Sequence, residues 1–264
     1  MLELCMLASG SSGNAVYVAT EKARILIDAG LSGKRLAKAL AEIGADAAAL
    51  DALLLSHDHL DHTCGASVLA KRYHLPVYAT QPTWNAAGKQ LDSLPTVLRH
   101  FFAAGDKIVF ADLEVETFPV PHDAAGPVGF VLRQGDRAAA LVTDLGCVTP
   151  YIMGCLQNLD GIVIEANHDE KMLFNGRYPW PLKKRISGKT GHLSNDMAAE
   201  CLTKIISPRT KQVVLAHLSA ENNLPSLALD TICSRLETAG ITPGRQINVR
   251  VAARHEPSCR ILFA

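Results

Sequence analysis

What this chain lacks already removes several classes of protein. Its 264 residues contain no CxxC pair, and the seven cysteines are odd in number and irregularly spaced. That argues against a disulfide framework and against a cysteine-built structural zinc site. No apolar run reaches membrane-spanning length, and the N-terminus has no charged segment followed by an apolar one. A cytoplasmic, reducing location without a membrane partner is the expectation. Neither sign of charge is in excess: 26 Lys and Arg balance 26 Asp and Glu, so no global field steers the chain to nucleic acid or membrane. Lys183-Lys184-Arg185 with Lys189 is either a local basic patch or a solvated loop. Aromatics are only 5% against 48% hydrophobic residues, so the core is mostly Ala, Val, Leu and Ile, as suits a globular α/β protein. No linker, repeat or low-complexity segment divides the chain, and a single domain over 1–264 is expected.

The order of elements is legible from periodicity and turn residues. Leu2–Ala8, Ala15–Ala19 and Arg24–Asp28 read as strands, with the turn-rich Ser9–Asn14 loop between the first two. Ser32–Ile43 reads as a helix capped by Ser32 and stopped by Gly44. Ala52–Ser56 is a short apolar strand, Cys64–Tyr73 a helix and Val77–Ala79 a strand. Lys107–Phe110, Leu113–Phe118, Val128–Arg133 and Ala138–Thr143 follow as successive strands. The second half then alternates: helix Pro150–Gln157, strand Gly161–Glu165, helix Ser194–Ile206, strand Gln212–Ala216, helix Pro225–Ala239. Val249–Ala253 and Cys259–Phe263 are further strand candidates. Two mixed sheets packed face to face, with helices outside, accommodate that order.

The chemistry concentrates in His57-Asp58-His59-Leu60-Asp61-His62, directly after an apolar strand. Residues two apart in an extended segment point the same way, so His57 and His59 can approach one metal ion. Asp61 and His62, at the turn into the helix, can face a second. Three histidines and an acid in so short a run are hard to bury without a cation. Further ligand types end apolar strands: His122 follows Leu113–Phe118, Asp144 ends Ala138–Thr143, and His217 ends Gln212–Ala216. Asp144 is the natural bridge, since one carboxylate can touch two ions. Imidazole and carboxylate donors suit Zn²⁺, Mn²⁺ or Fe²⁺.

This set resembles the metallo-β-lactamase fold superfamily, whose signature is H-x-H-x-D-H followed by a later His, Asp and His. His57, His59, Asp61, His62, His122, Asp144 and His217 match in order, and Asp28 matches the family's first acidic motif, which orients ligands. The resemblance covers essentially the whole chain. It implies an α/β fold, a four-layer αββα sandwich of two mixed β-sheets, and a site for two divalent metal ions, Zn or Mn.

The substrate is argued from the second half. Glu165-Ala166, Gly191-His192-Leu193-Ser194-Asn195 and Ala216-His217-Leu218-Ser219 resemble the ribonuclease Z-like, nucleic-acid-cleaving branch. By that match His192 is the general acid for the leaving oxygen, Glu165 orients it, and Asp61 belongs to the catalytic set. Two metals would clamp the phosphate and generate the attacking hydroxide. Only about twenty residues separate His122 from Asp144, too few for the arm that holds transfer RNA in ribonuclease Z-type enzymes. The match is instead to the compact bacterial YycJ/WalJ type, through Leu7–Asn14, Glu165–Asp169, Gly191–Asn195 and His217–Asn223. That resemblance implies a 5′→3′ exonuclease acting on DNA. A small-molecule hydrolase of the same fold, for a cyclic nucleotide, thioester or lactone, is the alternative, and a non-catalytic metal-binding protein a third reading. Ser9, Ser11, Ser12 and Asn14 offer either a phosphate nest or a plain turn. His168 either joins the site or caps the next helix. Tyr178-Pro179-Trp180-Pro181 could offer a base a stacking surface, but a proline-bracketed core anchor is the preferred reading. Oligomeric state is left open.

Overall fold

The computed structural model describes residues 1–263, and they form two seven-stranded sheets. The first contains β1 (Leu2–Ala8), β2 (Ala15–Ala19), β3 (Arg24–Ile27), β4 (Ala52–Leu54), β5 (Val77–Thr80) and β6 (Arg99–Phe102) in sequence order. The second runs from β7 (Lys107–Phe110) through β8 (Leu113–Pro119), β9 (Val128–Gln134), β10 (Arg137–Val142), β11 (Gly161–Glu165) and β12 (Gln212–Ala216) to β13 (Asn248–Val251). The last strand, β14 (Ser258–Phe263), returns to the first sheet and pairs antiparallel with β1. Both sheets are mixed: β1–β3 and β7–β10 run antiparallel to their neighbours, whereas β3–β6 and β10–β13 are joined in parallel.

Period-2 alternation makes the layers. Leu53 faces outward and packs with Leu36, Leu40 and Leu69 from helices α1 (Gly33–Glu42) and, after the short α2 (Leu60–Thr63), α3 (Ala66–Tyr73). Ala52 and Leu54 face inward and meet Val115, Phe130 and Leu141 of the other sheet. In β11, Val163 joins this central layer, while Ile162 and Ile164 pack outward. Helix α4 (Gln81–Ala87) lies by β5; α5 (Pro150–Cys155), α6 (Glu170–Asn175), α7 (Trp180–Ile186), α8 (Asn195–Ile205) and α9 (Pro225–Thr238) belong to the second half. The result is the expected αββα sandwich. Among the described residues no helix is long and apolar enough to cross a membrane.

Local signals held where they had a mechanism. Ser32 caps α1 through Arg35 N–H, and Gly44 follows it at φ 76°. Expected strands that ran into the site were one or two residues too long: β3 stops before Asp28, β4 at Leu54 and β10 at Val142. The reason lies in the backbone. Asp28 and Asp144 adopt left-handed φ of 61° and 57° just past β3 and β10, which ends pairing there, as His217 does at 55° after β12. After β4 the Ser56 N–H turns to the Asp28 carboxylate instead of a neighbouring strand. The pattern gave no warning of α4, α6, α7 or β6.

Candidate metal centre and active site

All seven residues of the signature converge at one end of the sandwich. His57, His59 and His122 bring donor atoms together as one group, and Asp61, His62 and His217 as another, with Asp144 beside both. Asp144 Oδ2 lies 3.2 Å from His62 Nε2, and its Oδ1 lies 3.8 Å from His122 Nε2 and 3.3 Å from His217 Nδ1. Asp61 Oδ2 is 3.5 Å from His217 Nε2 and 3.6 Å from His62 Nε2.

Each buried imidazole of the signature is fixed by its Nδ1. His62 donates to Asp28 Oδ2 at 2.7 Å, His122 to the Gly191 carbonyl at 3.1 Å, and His217 to Glu165 Oε1 at 2.7 Å. The Ser56 hydroxyl donates to Asp28 Oδ2 at 2.8 Å, so its oxygen accepts from His57 Nδ1 at 3.0 Å. Four Nε2 lone pairs are thereby aimed inward, the arrangement by which outer hydrogen bonds select the tautomer of metal ligands. Asp28 thus lies behind His62, bonded to its Nδ1.

The donor set fits divalent ions. His57 Nε2, His217 Nε2 and Asp144 Oδ2 are buried and make no hydrogen bond. Left so, each would cost about 1–3 kcal/mol, and their convergence asks for a cation. The field agrees. Burial opposes charging His217, yet Asp144, Asp61 and Glu165 override it and push the imidazole up to about 10. Burial likewise opposes charging His62, and Asp28, Asp144 and Asp61 carry it well above the usual range. His57, buried among other imidazoles, is held well below it. The carboxylates thus draw protons where no metal neutralises them.

Glu165 and His192 complete the site. Glu165 is fully buried at the end of β11. Its Oε1 accepts from His192 Nδ1 at 2.9 Å and from His217 Nδ1, while Oε2 accepts from Leu193 N–H at 3.0 Å and Leu145 N–H at 3.2 Å. Burial favours its neutral form, but His192 and His217 reverse this and lower it to about 2. Burial also opposes charging His192, and Glu165 raises its pKa above the ordinary histidine value. His192 lines a cavity of about 220 Å³ with Asp61, Asp144, His59 and His217. Larger clefts of about 690 and 580 Å³ lie away from these donors, under Lys211 and Arg245 and under Arg35 and His255.

The remaining expected residues separate. Ser11 lines the cavity. Ser9 is buried and its hydroxyl accepts from His217 N–H at 2.8 Å. Asn14 is buried; its Oδ1 accepts from Gly10 N–H, and its Nδ2 lies 3.0 Å from His62 Nε2 and 3.3 Å from Asp61 Oδ2. Ser12 is exposed outside the cavity lining. The loop therefore braces the ligands more than it cradles an anion. Asp169, not His168, caps α6, through Met172 N–H at 2.8 Å. His168 is buried, with Nδ1 unpartnered and its pKa lowered by burial to about 4. Trp180 is no core anchor: it is 56% exposed. Tyr178 from the aromatic motif, Arg185 from the basic run and Asn167 also form cavity wall, together with Leu182 and Ile186, which no local pattern marks.

Fold and ligand set together define a metallohydrolase of the αββα type. The chain belongs to the metallo-β-lactamase superfamily: residues 23–218 match the family described as "Beta-lactamase superfamily domain". It is 42% identical over 246 residues to exodeoxyribonuclease WalJ of Streptococcus pneumoniae, covering 92% of this chain and 91% of that one. It is 40% identical over 248 residues to exodeoxyribonuclease YycJ of Bacillus anthracis, covering 94% of each. Among solved structures, the metallo-β-lactamase fold protein YhfI of Bacillus subtilis superposes with a TM-score of 0.70 at 16% identity, covering 97% of this chain and 98% of that one. The short form of human tRNase Z superposes at 0.66 and 16% identity, with the same coverage. At such identity these two share the fold alone.

Proposed function

We propose that this chain, acting as one catalytic domain in the cytoplasm, is a binuclear metal-dependent phosphodiesterase that digests DNA from an end, in the 5′→3′ direction. One observation carries the reading: a protonatable His192, held by the buried Glu165 carboxylate, shares a small cavity with His59, Asp61, Asp144 and His217, which belong to clusters able to hold metal ions. The relatives named exodeoxyribonuclease supply the substrate class. His57, His59 and His122 would hold one ion, Asp61, His62 and His217 the other, and Asp144 would lie between them. Zn²⁺ and Mn²⁺ both suit these donors. Bound there, the ions supply Lewis-acid stabilisation of phosphoryl oxygens and activate water.

The chain's own residues do the rest. Asp61, whose carboxylate opens partly on the cavity, orients the attacking water. His192 gives its Nε2 proton to the leaving oxygen as the phosphorus–oxygen bond breaks, so no free alkoxide is released. Glu165 keeps Nδ1 protonated and the ring aimed. A lactone or thioester hydrolase has less need of such an acid. The test is digestion of end-labelled single- and double-stranded DNA and RNA by metal-loaded protein. Cleavage of DNA from one end is expected, with loss of about 10²- to 10⁴-fold in His192→Ala at unchanged metal content. Unchanged cleavage in that variant refutes the role of His192, and no cleavage with either metal refutes the nuclease reading.

A further inference from the structure

The surface beside the cavity has features that phosphodiester chemistry does not use. Between Glu170 and Lys189 six Lys or Arg stand against a single acid, in a chain whose overall charge balances. This segment is α6, α7 and their connection. On α7, Leu182, Arg185 and Ile186 face the cavity, and Tyr178 lines it just before the helix starts. Trp180 and Lys184, one helical turn apart, occupy the opposite, solvent-facing side. Trp180 is 56% and Phe174 41% exposed, with ring centroids 6.0 Å apart. The Lys184 ammonium sits 5.7 Å from the Trp180 ring.

The chain is poor in aromatics, yet it exposes Phe174 on α6 and Trp180 with Lys184 on α7, whose outer side lies about 10 Å across the helix from the cavity wall. Lys184 and Lys189 make no ion pair among the described residues, so their charge is free for a partner. Arg185, by contrast, is committed to Asp123. The cavity of about 220 Å³ is below the ~300 Å³ of ordinary ligand pockets, a size that suits one nucleotide better than a base pair.

We propose that α6 and α7 form a docking lip for single-stranded DNA: an unpaired base further along the strand from the scissile nucleotide stacks on Trp180, and Lys184 and Lys189 hold the neighbouring phosphates. This rests on the nuclease reading and deepens it, because it assigns the form of DNA that enters. Stacking on an aromatic ring tolerates any base, as a processive digester of arbitrary sequence requires.

The two tryptophans make the test clean. Trp84 is 7% exposed with its indole N–H donated to the His100 carbonyl, so Trp180 is the accessible fluorophore. The metal-loaded full chain is titrated with a short phosphorothioate-linked thymidine oligonucleotide, which resists cleavage. Quenching is expected in the parent and in Trp84→Phe, and its loss in Trp180→Leu. Against cleavable single strands Trp180→Leu should raise KM about fivefold or more, with a smaller change in kcat, and Trp180→Tyr should restore most of the loss. Lys184→Ala should lower the salt dependence of binding by about 0.7 in log–log slope. Equal quenching by blunt duplex, or silence of Trp180 on strand binding, overturns the lip. So does quenching that grows with protein concentration in the absence of DNA, which would assign the patch to a second copy. If the strand quenches Trp180 but no DNA is ever cleaved, the nuclease reading falls and the lip stands; if DNA is cleaved and Trp180 stays silent, the reverse holds.

Discussion

Replacing Glu165 by glutamine tests the site at its most connected atom pair. The carboxylate accepts four hydrogen bonds, two from histidines and two from backbone N–H groups. A glutamine can offer its carbonyl to one pair only; its amide then points two donors at the other. Two buried donors left without acceptors cost about 1–3 kcal/mol each, so a destabilisation of roughly 2–6 kcal/mol and a fall in Tm on the order of 10 °C are expected. The kinetic effect has a definite sign. Glu165 raises the His192 pKa against burial, so in the native enzyme the ring stays protonated past the ordinary histidine value. With the charge gone, burial remains and the pKa falls. The alkaline limb of the rate profile should move to lower pH, and the rate at pH 8 should fall more than the rate at pH 6. At neutral pH the loss should reach about 10²-fold or more, the scale of one general acid. Steady-state rates across pH, with metal content measured in parallel, decide it. An unmoved alkaline limb at full metal occupancy would show that Glu165 does not govern His192.

Three further outcomes follow from other contacts. Asp28→Asn removes the carboxylate behind His62 Nδ1 and should weaken metal binding about 10- to 100-fold by calorimetry; unchanged affinity would leave Asp28 a purely structural role. Gly30→Ala would place a Cβ 1.7 Å from the Asp61 carbonyl oxygen, so about 3 kcal/mol of stability and the metal site should be lost together, whereas Gly44→Ala, with open space around it, should cost only about 1 kcal/mol for its positive φ. Asp160→Ala should cost about 2 kcal/mol by denaturant unfolding, because its carboxylate holds Ala138 N–H at 2.8 Å and Arg209 at 2.7 Å. Burial opposes the Asp160 charge, and Arg209, Ala138 and Arg137 hold its pKa below the usual value. Its contribution is therefore complete above about pH 4 and lost as pH falls through the lowered folded value; a parent–variant gap that stays constant into acid would contradict this.

The residues that carry chemistry were more legible than the surfaces around them. His57, His59, Asp61 and His62 declare themselves because so many donors in one run have no structural use. His122, Asp144 and His217 are legible because each ends an apolar strand. Glu165 was read as a partner of His192 alone; that it also holds His217 depends on β11 and β12 being parallel neighbours, which no local pattern states. The Trp180 exposure was missed for a similar reason. Flanking prolines say that a segment is irregular or begins a helix, but not which side of that helix meets the core. Asn14 looked like a loop residue, and only the contact between the loop after β1 and the turn at Asp61 brings it to the ligands.

The left-handed turns at Asp28, Asp144 and His217 bear on how this protein could be engineered. Glycine adopts that conformation without the steric penalty of a Cβ, so on backbone grounds alone each position invites it. The side chains oppose the exchange: Asp28 accepts from Ser56 and His62, His217 donates to Glu165, and, although burial opposes its charge, the Asp144 carboxyl is held well below the usual range by His217 and His62. Each buried hydrogen bond lost would cost about 1–3 kcal/mol. A stabilisation campaign on this chain should therefore leave these three codons fixed and look for its gains away from the site.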